Sequence, residues 1–296
     1  MIKKTITIVL VLLFLFQSIA LAADSESARD SELNKPKEKK KDPSKTPFFK
    51  ALGQDIGHIF TSPGRIRGKD WLTIGGVALI TGILIHNDEK IYQEFKQFQR
   101  KNEWADKFSG KVTKLGDGGF NLGVSGVFYL GGWLFKDKRA IDTAKLTLMT
   151  FVHTSLVVQF GKHMTGRQRP SWDNGKDYWH GPSGFFDRYK PYQISKYDAF
   201  PSGHTISIFG TATVVSEMYK DTVIVPIVSY SLATLCGLSR VTEDTHWLSD
   251  VFLGAVLGYA IGKYVVKRRS KYSKRRWNFY PTASSRGVSL GMTYTF

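Results

Sequence analysis

Six apolar stretches divide the chain, at about residues 71–87, 119–136, 140–162, 203–219, 222–239 and 247–266. Each is long enough for a helix and longer than a strand ordinarily runs. Small residues recur in them, as in VSGVFYLGGW and LGAVLGYAIG, and let helix backbones approach closely. The pattern predicts an all-α fold, a core bundle of six helices. Ahead of it, residues 47–60 place Phe48, Phe49, Leu52, Ile56, Ile59 and Phe60 near helical spacing. That predicts a short amphipathic helix, lying on a membrane surface or packed on the domain. At the other end Val288, Leu290, Met292, Tyr294 and Phe296 alternate, which predicts one short terminal strand. This alternation ending in Phe resembles the last strand of an outer-membrane barrel, but one strand cannot close a barrel.

The flanks are polar or processed. Lys3 and Lys4, the apolar run 6–16 and the small residues Ala20 and Ala22 predict an export signal over 1–22. Residues 23–46 are lysine-rich without apolar periodicity and predict a disordered linker. The expected organisation is therefore signal 1–22, linker 23–46, amphipathic helix with its following loop 47–70, helical domain 71–266, and a basic segment with tail 267–296. Lys and Arg exceed Asp and Glu to give a net charge of +17, which points to an anionic partner. The basic runs 35–45 and 263–276 are not interleaved with a recognition fold, so nucleic acid is not expected as a partner. The single cysteine, Cys236, lies in an apolar run and cannot form an internal disulfide. No Cys/His cluster suggests a metal site, and no cofactor is expected.

Charge also bears on topology. Lys136, Lys138, Arg139 and the run 263–276 predict cytoplasmic ends for six crossings, with the stretch before the first crossing on that same side. A cleaved export signal places that stretch outside. Either the bundle is peripheral, or the signal is misread, or one segment does not cross.

Three polar clusters stand at the ends of apolar segments. They are KHMTGRQRP around Lys162 and Arg169, PSGH over 201–204, and SRVTEDTHWLSD over 239–250. In an up-down bundle these ends share one face. Arg169 and Arg240 offer forked donors and Lys162 a mobile charge, a set that suits a tetrahedral dianion. Ser202 and Gly203 open a helix whose free N–H groups favour an anion. His246 and Asp250 stand four apart, so a helix would let the carboxylate accept from one ring nitrogen and leave the other to attack phosphorus. His204 could then protonate the leaving oxygen and later activate water. Asp244 is placed to cap a helix starting near Thr245. Glu243, His163 and His180 take no role from the sequence. The aromatic-rich loop 171–200 separates the first two clusters and could select substrate, rest at an interface, or simply pack.

Lys162 with Arg169-Pro170, Pro201-Ser202-Gly203-His204, and Ser239-Arg240 with His246 and Asp250 resemble the three signature motifs of the type 2 phosphatidic acid phosphatase (PAP2) superfamily. That superfamily includes class A acid phosphatases and vanadium haloperoxidases. The resemblance spans roughly residues 70–266. It implies a helical core, a phosphohistidine on His246, acid catalysis by His204, and phosphate binding by Lys162, Arg169, Ser202, Gly203 and Arg240. It also implies a site facing the periplasm of a bacterial envelope. The expected activity is a metal-independent phosphatase acting on a phosphate monoester or pyrophosphate, with a lipid-linked substrate and an anionic membrane surface as partners. The alternatives are a soluble periplasmic acid phosphatase of broad specificity, a vanadium haloperoxidase, and an inactive anion-binding membrane protein.

Overall fold

The computed structural model describes residues 46–65, 68–172, 178–183, 196–270, 277–284 and 287–294. The export signal, almost all of the linker, much of the 171–200 loop and the basic run 271–276 lie outside the described residues. Eight α-helices are described: α1 (Phe48–Phe60), α2 (Gly68–Lys101), α3 (Glu103–Val112), α4 (Gly118–Leu134), α5 (Lys138–Thr165), α6 (Gly203–Met218), α7 (Ile224–Thr242) and α8 (Leu248–Arg269). Each of the six apolar stretches falls largely within one of α2, α4, α5, α6, α7 and α8.

Two helical features escaped the apolar pattern. Helix α2 runs on to Lys101 through polar sequence, because Ile91 and Phe95 keep helical spacing and pack with Leu84, Val241 and Leu248. Helix α3 is short and carries four charged residues in ten, and a 3-10 turn, Thr113–Gly116, joins it to α4. The tail differs as well. It is a hairpin in which β1 (Trp277–Ser284) pairs antiparallel with β2 (Gly287–Tyr294), where the alternation predicts one strand. Pro281 and the preceding basic run hid β1, since proline ordinarily argues against a strand interior.

Helix α6 is the centre of the bundle, packed against α5, α7 and α8 and buried over most of its length. Its closest neighbour is α8, where Gly254, Gly258 and Gly262 repeat every four residues and face α6. A Cβ on Gly254 would lie 2.9 Å from the Ser202 carbonyl, and one on Gly258 would overlap the Ile206 carbonyl. Helix α1 packs its apolar face on the bundle through Ala51, near the end of α8, where buried Asp55 takes Arg268 at 2.8 Å and Arg269 at 2.7 Å.

The outward faces are apolar. Segments 70–101, 224–242 and 248–269 are long and apolar enough to cross a membrane. Helix α2 exposes Trp71, Leu72 and Leu79, α4 exposes Val127, Leu130 and Trp133, and α7 exposes Ile224, Ile227 and Val228. Water offers such surfaces nothing, whereas lipid does.

One buried ionic cluster ties three parts of the chain. Arg167, wholly buried, reaches Asp250 at 2.5 Å, Ser249 at 2.6 Å and Asp88 at 2.8 Å. Its guanidinium also lies 4.6 Å from the Trp179 ring centre and 5.5 Å from that of Trp247. Asp88 on α2 accepts in addition from the Ser249 N–H at 3.0 Å and the Ser249 hydroxyl at 2.5 Å. Removing the cation strands two buried carboxylates. Arg167→Met is therefore expected to destabilise the fold by about 3–5 kcal/mol, measured by unfolding of the detergent-solubilised protein. A loss below about 1 kcal/mol would mean that the cluster does not hold these elements together.

Candidate active site

The starts of α4, α6 and α8 and the ends of α5 and α7 meet at one end of the bundle, and the three polar clusters meet there. Helix α5 stops at Gly166, which is left-handed (φ 54°) and sits where a Cβ would lie 2.7 Å from the Gly181 carbonyl. The chain then turns through Arg167 to Arg169. Lys162, one turn before that stop, lies 3.2 Å from Asp198, and Arg169 Nε donates to the other oxygen of Asp198 at 2.6 Å. Burial would raise the Asp198 carboxyl, but Lys162 and Arg169 outweigh it and hold the group below its ordinary range. The Lys162 ammonium is 3.8 Å from where a Cβ on Gly203 would stand, so the missing side chain keeps space at the start of α6 open to a ligand.

Ser202 is fully buried. Its N–H donates to the Asp250 carbonyl at 3.1 Å, and its hydroxyl accepts from Thr205 at 2.9 Å. These bonds stitch the start of α6 to the start of α8. Arg240, at the end of α7, donates to Glu243 at 2.7 Å and to Thr113, while its Nε has no partner in the described residues. Glu243, which took no role from the sequence, thus helps to aim the Arg240 fork.

His246 is almost fully buried, and its Nδ1 lies 2.7 Å from the Ala199 carbonyl. A carbonyl can only accept, so Nδ1 carries the proton and Nε2 keeps the lone pair. The expected bond from His246 to Asp250 is not made: Nδ1 is 3.7 Å from that carboxylate, beyond hydrogen-bond range. Asp250 is committed elsewhere, to Arg167 and to the Trp247 N–H at 2.8 Å. It caps α8 from the helix's third position, and the backbone of Ala199 orients the histidine instead. Burial, and then Arg169, Lys162 and Arg240, push His246 well below its ordinary pKa, so the ring is neutral at neutral pH.

His204 Nε2 lies 2.8 Å from Asp117 Oδ1. Burial and the nearby Arg240 push His204 down to about 4, against the upward pull of Asp117. Gly116 lets this contact form, since a Cβ there would stand 2.6 Å from the Cβ of His204.

The structure thus brings together Lys162, Arg169, Ser202, Gly203, His204, Arg240 and His246. It adds Asp198, Asp117 and Thr113, which the sequence reading missed. Asp198 stands three residues before Pro201, and Asp117 is flanked by glycines as a turn residue would be. Neither position announces chemistry without its partner. Asp244 was expected to cap a helix near Thr245, yet α8 begins at Leu248. Asp244 is left-handed (φ 58°) and takes Lys96 of α2 at 2.8 Å.

Comparison with known proteins shows several similarities. The lipid A 1-phosphatase of Porphyromonas gingivalis is 34% identical over 67 residues, 22% of this chain and 15% of that protein. Lipid phosphate phosphatase 1 of Arabidopsis thaliana is 26% identical over 166 residues, 48% of this chain and 51% of that protein. The chain thus spans about half or less of the curated relatives it matches. A solved transmembrane PAP2 type phosphatidylglycerolphosphate phosphatase from Bacillus subtilis is 20% identical with a TM-score of 0.48, covering 65% of this chain and 93% of that one. The family model for the PAP2 superfamily matches residues 143–274, which contain all three clusters, and over that stretch the chain is similar to the PAP2 superfamily.

Proposed function

We propose that the protein is a metal-independent phosphatase of the bacterial envelope that hydrolyses a phosphate monoester or pyrophosphate carried by a lipid. One observation supports the chemistry above the others. His246 spends its Nδ1 proton on the Ala199 carbonyl, which leaves an Nε2 lone pair beside Arg169, Lys162 and Arg240. In the first step Nε2 attacks phosphorus and the bond to the leaving oxygen breaks. His204 gives that oxygen its proton. In the second step His204 takes a proton from water, the hydroxide attacks phosphorus, and the phosphorus–nitrogen bond breaks. Lys162, Arg169, Arg240, the Ser202 hydroxyl and the Gly203 N–H at the start of α6 hold the equatorial oxygens. Asp250 acts by fixing the start of α8 and not by holding the histidine ring.

Three features support a lipid-borne substrate and a membrane setting. The relatives named above are a lipid A phosphatase and a lipid phosphate phosphatase. The outward helix faces are apolar. Lys136, Lys138, Arg139, Lys267 and Arg268 lie toward the end of the bundle away from the site, which by the positive-inside tendency favours a site on the periplasmic side.

Purified protein in EDTA is expected to release phosphate from a panel of lipid phosphates and lipid pyrophosphates, and His246→Ala to abolish release. Activity that needs a divalent cation, or that survives in this variant, overturns the mechanism. Oxidation of bromide by vanadate-loaded protein would favour the haloperoxidase alternative.

Asp117 supplies a second test. Its carboxylate favours the protonated form of His204, so Asp117→Asn lowers the pKa of that ring. The general acid is then lost at lower pH, and the alkaline limb of the kcat/KM profile moves toward acid. Activity at pH 7 is expected to fall about tenfold. A profile that only scales down, with no shift of the limb, would reduce Asp117 to a structural role.

A further inference from the structure

Helix α3 sits at the end of the bundle that bears the site. It rests on the last turn of α7 through Ser109, whose hydroxyl lies 3.2 Å from the Ser239 carbonyl and 2.5 Å from the Thr242 hydroxyl. The turn that follows α3 delivers Thr113 to Arg240 and Asp117 to His204. The height of α3 in the molecule therefore fixes the height of the site.

The residues of α3 are ordered around its axis. With about 100° between successive residues, the buried Ala105 and Ser109 point inward. Proceeding round one side from there come Phe108 and Trp104, then Lys111 and Lys107, then Glu103 and Asp106. Trp104 is 61% exposed and Phe108 46%, although both are large and apolar. Their rings lie 6.2 Å apart, and Phe98 of α2 meets Trp104 edge-on at 6.2 Å, so the patch is aromatic and continuous. On the acidic side Asp106 accepts from Gln99 of α2 at 2.6 Å. Helix α7, on which α3 rests, turns Ile227, Val228, Leu232 and Leu235 outward.

We propose that α3 is an interfacial helix that seats the site-bearing end of the protein on anionic lipid headgroups. The inference rests on the lipid-phosphatase reading for its purpose but not for its geometry. Aromatic side chains favour the boundary between hydrocarbon and water, and lysines beside them meet phosphate headgroups. The order aromatic, basic, acidic is the order of hydrocarbon, headgroup and water. A protein partner would have no reason to require that gradation, and the apolar face of α7 continues it toward the bilayer core. Lys107, Lys111 and Lys114 supply the basic band. A lipid lying in this leaflet would then present its phosphate at the depth of Lys162, Arg169 and Arg240.

The test places a nitroxide label on the full chain in lipid nanodiscs, at Phe108→Cys in one variant and at Asp106→Cys in another. Cys236 is buried, and the parent chain gives its background. The label at 108 is expected to collide with oxygen more than with a water-soluble nickel chelate, and the label at 106 to do the reverse. Adding phosphatidylglycerol to phosphatidylcholine is expected to move the label at 108 deeper, and K107E/K111E to cancel that movement. A label at 108 open to the nickel chelate overturns the proposal. So does one shielded from both reagents, as a protein partner or a second copy would shield it, or one indifferent to anionic lipid. Activity gives a separate reading. W104S/F108S is expected to lose about tenfold on a long-chain lipid phosphate in the bilayer and nothing on a short-chain, water-soluble phosphate ester. Equal loss on both substrates overturns the link to the site. If the parent chain releases phosphate from neither, the phosphatase reading fails while the label depths still decide the place of α3.

Discussion

Arg167 sets the register of the first and third clusters at the candidate site. Its guanidinium is fully buried and joins α2 through Asp88, the loop after α5 through its own backbone, and the start of α8 through Ser249 and Asp250. Taking three charges out of water costs about as much as their attraction returns, so the cluster is a poor source of net stability. What it supplies is register. A carboxylate displaced by one helical turn would be left buried without its cation, and only one placement of the three segments avoids that. His246 stands four residues before Asp250, and Arg169 two residues after Arg167. Both ends of the candidate pocket are therefore referenced to the same ionic group.

The contact between α6 and α8 does for the second cluster what Arg167 does for the first and third. Glycines at 254, 258 and 262 bring the two backbones together, and the Ser202 N–H reaches the Asp250 carbonyl. The start of α6, with its free N–H groups, is thereby pinned beside the start of α8. The start of α6 and His246 meet because α8 lacks side chains along the stripe that faces α6, not because either terminus is itself a site.

Much of this was legible in the sequence, and the rest was not for identifiable reasons. Apolar runs gave the positions of six helices, and the cationic and histidine clusters at their ends gave residues that the structure brings together at one end of the bundle. Periodicity reports which face of an element is buried, and residues at the ends of buried elements stand out by contrast. The partners that tune the set carry no such contrast. Asp198, Asp117 and Asp88 lie 36, 87 and 79 residues from the groups they meet, and each looks locally like a turn or surface acid. The pairing of His246 with Asp250 failed for a different reason. Spacing of four assumes that both residues lie on one helix, but α8 begins at Leu248, and His246 precedes it. Off the helix, its ring turns to the Ala199 carbonyl instead.

The three acids around the pocket explain how three cations can be held together before substrate arrives. Asp198 lies between Lys162 and Arg169, Glu243 holds Arg240, and Asp117 holds His204. Without them, mutual repulsion would splay the cations apart and oppose the close packing of α5, α6 and α7. With them, the pocket is neutral enough to fold and still cationic where Nε of Arg240 has no partner among the described residues. An arriving phosphate changes that balance. Burial pushes His204 down to about 4 with help from Arg240 and Lys162, and a negative charge placed beside those cations would offset their part and raise the affinity of the ring for a proton. On the proposed mechanism, His204 would then gain its proton as the dianion binds. On that mechanism proton and substrate would enter together, and the protonated histidine would form where a leaving oxygen is present to receive it.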